Sequence, residues 1–334
     1  MRFTGRSDGA AFEPRAKRQQ AVRFVWAALA LWGCGDGSGA RPRDPAVGAE
    51  AQPAVPLPSE ALERLSGTGL YAGGNAAAGL APDVREYSPR FEQWLDGASA
   101  RRFAWLPPGA TIDTSDADHW LYPTGMRAWQ ELSRNGVRVE TRFLEKLGPD
   151  AWRFLTYYWA EQAEAVAVEG GLMDAGGTGH DIPHLVDCGG CHDNVPDRVL
   201  GFTALQLDQD VTLPGDAATQ AALGYLHANC GGCHNPDSVE YRSVDLELWL
   251  PRALGAPEDA PVYRTAVGVP RRGLGAASAL PTLRIAPGMP EQSAVYARMA
   301  SRDPNVQMPP IGSHVVDAAG LAQLATWISG LAAP

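Results

Sequence analysis

Cysteine is scarce in this 334-residue chain, with five residues in all, and none falls outside a pattern. Cys34 stands alone near the N-terminus, and the other four form two tight pairs. Such a set offers no framework of structural disulfides, and a chain of this length can bury enough surface to fold without one. A long apolar run is also missing: Phe24 to Trp32 is apolar but too short to cross a bilayer as a helix. Positive charge is thin beyond the start. The net charge is −10, and the first 33 residues hold an excess of four positive charges, so the remainder carries −14. Such a surface repels nucleic acid and anionic lipid, which argues against a nucleic-acid partner. No Ser/His/Asp set, phosphate-binding loop or carboxylate dyad stands out, and no internal repeat beyond the cysteine pairs.

Arg15, Lys17, Arg18 and Arg23 precede the apolar run, which has the proportions of an export-signal core. The run ends Leu31-Trp32-Gly33-Cys34. This resembles the site at which bacterial lipoproteins are cleaved and lipidated on cysteine, although Trp32 is bulkier than the small residue usual there. Residues 1–34 are therefore expected to be a lipoprotein-type signal with Cys34 lipidated. That puts the protein on the periplasmic side of the envelope, held to a membrane by its lipid, at the outer membrane in preference to the inner. Residues 35–58 are rich in Gly, Pro and Ala and predict a flexible tether.

Beyond Ser59, expected to cap a short helix, the pattern predicts an α+β chain. Residues 59–187 form an N-terminal β-rich, sandwich-like domain, with short aromatic-rich runs between Pro-Pro-Gly and Pro-Thr-Gly turns. The clearest strand is Val137 to Leu144, with Val137, Val139, Thr141 and Phe143 on one face and Arg138, Glu140 and Arg142 on the other. Trp152 to Trp159 reads as its buried partner. Trp105, Trp120, Trp129, Trp152 and Trp159 could form a sugar-binding platform, but core packing explains them better. Residues 188–334 form a mainly helical region. In it, Ala217 to Asn229 runs into the second cysteine pair, and a last helix follows Asp317 with Leu321, Leu324, Ile328 and Leu331 on one stripe.

The pairs are Cys188-Gly189-Gly190-Cys191-His192 and Cys230-Gly231-Gly232-Cys233-His234, both of the form Cys-x-x-Cys-His. This pattern attaches haem c: two thiols three positions apart reach the two vinyl groups of one porphyrin edge, and the next histidine lies beneath the iron. Two haem c groups are thus expected, bonded at Cys188, Cys191, Cys230 and Cys233, with His192 and His234 as axial ligands, and the cytochrome c maturation machinery as a partner. Three other uses of the thiols stay open. A zinc site on all four would leave both histidines as coincidences, a thioredoxin-like pair lacks its strand-then-helix setting, and structural disulfides are the third.

The sixth ligand decides whether a haem carries electrons or does chemistry. For the second haem, Met308 in Gln307-Met308-Pro309-Pro310 is preferred to Met289 or Met299, because the prolines stiffen its loop. For the first, His184 is favoured among His180, Met173, His119, Met126, His227 and His314, and the glycine-rich stretch 171–179 could fold His180 or His184 over the ring.

The helix into the motif, the Met-Pro loop and the terminal helix resemble the small class I cytochromes c. That resemblance implies a second-haem domain over 215–334, with Gly224 and Tyr225 meeting Trp327 and Ile328. More widely the chain resembles a family of bacterial diheme c-type cytochromes with an N-terminal β-rich region. The resemblance is carried by Trp94-Leu95-Asp96-Gly97-Ala98, Leu106-Pro107-Pro108-Gly109, Tyr122-Pro123-Thr124-Gly125, Glu140-Thr141-Arg142-Phe143-Leu144, Leu200-Gly201-Phe202 with Gln206-Leu207, Tyr225-Leu226-His227-Ala228-Asn229 and Met308-Pro309-Pro310. It implies electron transfer through two haems to redox partner proteins. The competing expectation is an oxidoreductase, such as a diheme peroxidase, with one open haem.

Overall fold

The computed structural model describes residues 56–208, 210–272 and 279–332. The expected signal, Cys34 and all but the last residues of the expected tether lie outside them. Six strands follow one another: β1 (Arg85–Tyr87), β2 (Ser99–Trp105), β3 (Arg127–Arg134), β4 (Val137–Lys146), β5 (Trp152–Glu161) and β6 (Glu164–Ala167). They pair in chain order as one antiparallel sheet. The β3–β4 turn shows why. Asn135 and Gly136 both take positive φ, 52° and 81°, which gives the two-residue turn whose twist matches the strands it joins.

A single sheet replaces the expected sandwich. Its first face packs Phe103, Trp129, Phe143 and Tyr157 against Leu62, Leu65 and Leu70. The two 3-10 turns Ser59–Glu63 and Leu65–Thr68 therefore cover the apolar face that a second sheet would otherwise bury. Ser59 opens the first turn and does not cap it; Pro58 precedes it and no side-chain cap forms. Trp129 and Trp159 are buried here, with their indole N–H groups donating to Thr68 Oγ1 (3.0 Å) and Thr141 Oγ1 (2.9 Å). They are core residues, not a binding platform.

Strand β4 runs two residues past the expected end because its charged terminus is buried with partners. Glu145 meets Arg127 (3.3 Å) and Arg153 (3.1 Å) across the sheet, and Lys146 meets Asp197 from a distant loop (2.5 Å). The second face therefore is not a solvent face, despite its charges. Glu140 and Lys146 are buried there, beside Ala104, Ala128, Met126, Tyr122 and Val199.

Seven helices complete the described residues: α1 (Gly189–His192), α2 (Ala204–Leu207), α3 (Ala217–Asn229), α4 (Val239–Val244), α5 (Pro261–Thr265), α6 (Ala294–Ala300) and α7 (Ala318–Gly330). Asp216 and Asp317 cap α3 and α7 by accepting from Thr219 N (2.8 Å) and Gly320 N (2.9 Å). These two helices pack together, and Leu223, Leu226, Leu324, Trp327 and Ile328 share one core. Each buried aliphatic there contributes about 1.5–3 kcal/mol. Gly320 permits the close approach: a Cβ there would lie 2.2 Å from the Tyr225 ring. Gly224 serves a different contact from the expected one, since its open side receives the ring of Phe91.

Phe91 belongs to the segment between β1 and β2, which ties sheet to helices. Trp94 N donates to Asn229 Oδ1 (2.6 Å), Asn229 Nδ2 to Glu92 O (3.1 Å), and Phe91 N to Gln206 Oε1 (2.9 Å). All described residues fall in one compact unit. Among them, no helix is long and apolar enough to cross a membrane.

Candidate functional site

The first cysteine motif lies along the second face of the sheet. In β4, Glu140, Arg142, Leu144 and Lys146 alternate onto that face, with Phe154 opposite Leu144 in β5. The buried ring of His180 is held by Glu140 Oε2 at 2.8 Å, and Glu140 is gripped by Arg142 at 2.7 and 3.1 Å. Burial acts to raise the Glu140 carboxyl, but Arg142 and His180 outweigh it and the carboxyl is held below its usual value. Arg142 in turn bears electrostatically on Cys188 and Cys191.

Cys188 follows a 3-10 turn, Leu185–Asp187, capped by His184 Nδ1, which accepts from Val186 N at 3.2 Å. His192 N donates to Cys188 O at 3.0 Å, so the motif is one helical turn and places Cys188, Cys191 and His192 on one side. The His192 ring packs against Phe154 at a tilt of 47° with centroids 4.8 Å apart, and its Nδ1 lies 2.6 Å from Arg198 O. A carbonyl can only accept, so Nδ1 carries the proton and Nε2 keeps its lone pair, as a metal ligand requires. Burial holds this imidazole neutral by pushing its pKa down.

The second motif ends α3. Cys230 N donates to Leu226 O (2.9 Å) and His234 N to Cys230 O (2.9 Å). Gly231 is required here: a Cβ would stand 2.7 Å from His227 O and 3.0 Å from the Trp249 Cα. Burial, then the charges of Arg284 and Arg298, push the His234 imidazole down to about 4. Its Nδ1 is buried without a hydrogen-bond partner.

The two motifs meet directly. Asn235 Nδ2 donates to Asn194 O (2.9 Å), Gly231 O (2.8 Å) and Gly232 O (3.1 Å), while Asn194 Nδ2 donates to Gly190 O (2.9 Å). The Cys233 thiol donates to Gly190 O at 3.6 Å, and its interaction with Cys191 pushes the Cys191 thiol down and its own up. All four thiols are unpaired and half-buried. They do not gather as a zinc site would: among the described residues, no three His, Cys, Asp or Glu side chains converge to hold a metal ion.

The remaining candidates separate. Met308 is half-buried, and its N–H donates to Arg298 O at 3.1 Å, the residue whose charge acts on His234. Met299 and Met126 are core residues, while Met289 and Met173 are exposed. His184 is exposed. His227 is buried against Trp249, accepts from Leu250 N at 3.1 Å, and is pushed down to about 3 by burial. His314 joins Asp96 (3.1 Å) and Asp181 (3.3 Å), and His119 is an exposed partner of Asp116. The clamp of Asn194 and Asn235, the Glu140–Arg142 pair and the Lys146–Asp197 pair were not anticipated from sequence. The lone lysine among the residues described was their one visible signal.

The residues present fit haem c on three counts. Each motif offers two free thiols and a half-buried imidazole that desolvation keeps neutral. Apolar side chains stand exposed beside them: Val186 (75%), two residues before Cys188, Val239 (64%), whose N–H reaches Asn194 Oδ1, and Ile311 (45%), set against Gly190. Apolar surface of this kind suits a porphyrin face. No protein-family model, no curated protein and no solved structure matches the chain. The resemblance to diheme cytochromes rests on the motifs themselves.

Proposed function

We propose that this chain is an exported diheme c-type cytochrome that transfers electrons through two covalently bound haems. The observation that carries the reading is the direct contact of two Cys-x-x-Cys-His segments, each with a half-buried histidine whose pKa desolvation pushes down. Cys188 and Cys191 would hold the first haem and Cys230 and Cys233 the second, with His192 and His234 on the irons. When bound, the haems supply one-electron redox chemistry. The motifs begin 42 residues apart in sequence, and their contact through Asn194 and Asn235 favours exchange of electrons between neighbours.

Met308 is the proposed sixth ligand of the second haem, where a thioether raises the potential. His184 is the proposed sixth ligand of the first, through Nε2, since Nδ1 serves the turn. Its exposure also favours a second reading, an oxidoreductase or peroxidase with an open first haem. Spectra of purified protein separate the two. Two low-spin haems inert to cyanide and peroxide support the carrier; a high-spin component that binds cyanide and consumes peroxide supports the enzyme. The periplasmic, lipid-anchored location is proposed from residues 15–34, and a mature protein whose intact mass shows no acyl groups on Cys34 would remove the anchor.

A further inference from the structure

Asp197 and Arg198 follow the first motif with φ of 45° and 58°. Two successive non-glycine residues in the left-handed region are strained, so something outside the loop must hold them. The hold is the carboxylate of Asp197. It accepts from Lys146 Nζ at 2.5 and 2.6 Å, from Tyr122 N at 2.6 Å and from Trp152 Nε1 at 3.1 Å. The two charged side chains are 5% and 4% exposed. In a chain that uses arginine for nearly all its positive charge, Lys146 is the sole lysine after Lys17, and it is spent in this buried pair. One residue beyond Asp197, the carbonyl of Arg198 receives the His192 Nδ1 proton at 2.6 Å.

We propose that Lys146 and Asp197 are positioning residues for His192: the sheet, through their ion pair, sets the carbonyl that fixes the imidazole's tautomer, orientation and basicity toward the first iron. This rests on reading residues 188–192 as a haem site. A ligand histidine whose distal N–H is firmly hydrogen-bonded is a stronger donor, so the sheet lowers the potential of the first haem relative to a loosely held imidazole. The buried pair leaves loop and strand no alternative register, because separating it would strand a charge among Tyr122, Trp152 and Val199.

The test uses the two-haem ferrous protein with nitrogen-15-labelled histidine, and reads hydrogen exchange of the His192 Nδ1–H by NMR, with potentials measured alongside. Lys146→Met combined with Asp197→Asn removes one charge of each sign, so the net charge near the site is unchanged. The expected result is exchange at His192 faster by roughly tenfold and a raised first-haem potential, with the second haem's potential unchanged. Lys146→Arg, which keeps the pair, is expected to match the wild type. Trp152→Phe removes one neutral donor and keeps the ring, and should accelerate exchange by roughly threefold; it decides the matter if the double variant does not fold. Unaltered exchange in a two-haem Trp152→Phe protein, or in a folded double variant, overturns the clamp while leaving the cytochrome reading intact. Wild-type protein without haem at Cys188 and Cys191 removes the reading beneath it instead.

Discussion

The side-chain amide of Asn235 donates to the main-chain carbonyl of Asn194 at 2.9 Å, fastening one Cys-x-x-Cys-His segment to the other. The same amide satisfies Gly231 O and Gly232 O, so one buried group closes its own motif and joins it to its neighbour.

Asn235→Ala removes those bonds and leaves buried carbonyls unpaired, a loss on the order of 3 kcal/mol. Denaturant unfolding of the haem-loaded protein should show it, together with reduced haem loading at both sites. A change below about 0.5 kcal/mol would mean that water or the haems themselves hold the junction.

Met308→Ala and His184→Ala probe the sixth ligands separately. Met308→Ala should convert the second haem alone from low spin and lower its potential, because a thioether ligand is lost. His184→Ala should alter the first haem alone. Spectra and potentials identical to wild type in either variant would reject that residue as a ligand.

Acid stability tests the burial of His227. Its imidazole is pushed from 6.5 to about 3 by desolvation, so between these values the unfolded chain binds a proton that the folded chain does not. Stability from this group is therefore complete above pH 6.5 and falls as the pH drops toward 3, by at most about 1.4 kcal/mol per pH unit. Glu140 titrates below its usual 4.5, and His192 and His234 are also held down, so the share of His227 between 4.5 and 6.5 is read as the difference between wild type and a His227 variant. His227→Asn can still accept from Leu250 N without titrating. Its unfolding free energy should be flatter across that range, and an unchanged slope would show that His227 is not the group responsible.

How much was legible from sequence differs by element, for physical reasons. Helix α3 was legible as a run into the second cysteine pair, and α7 announced its start through Asp317 and its stripe through spacing, all local signals. The alternation of β4 was visible too, but not its extension to Lys146, which depends on Asp197 from 51 residues away. The expected sandwich failed for a related reason: Leu62 and Leu65 cover the sheet from short 3-10 turns that carry no strand-like alternation. His184 was read as a ligand candidate from its place before the first motif, but the turn that its Nδ1 caps was not visible, because any exposed histidine before a helix can adopt that use. Asn194 and Asn235 bond to main-chain carbonyls, which leave no partner residue to recognise in a sequence. The cysteine motifs were legible because Cys-x-x-Cys-His is a short, local spacing that nothing else in the chain repeats.

Intact mass of protein matured in a host competent for cytochrome c assembly tests the central claim most directly. The polypeptide should carry two added haems that survive denaturation. Loss of Cys188 and Cys191 should remove one, and loss of Cys230 and Cys233 the other. A colourless protein with the mass of its polypeptide and lipid alone would contradict the account.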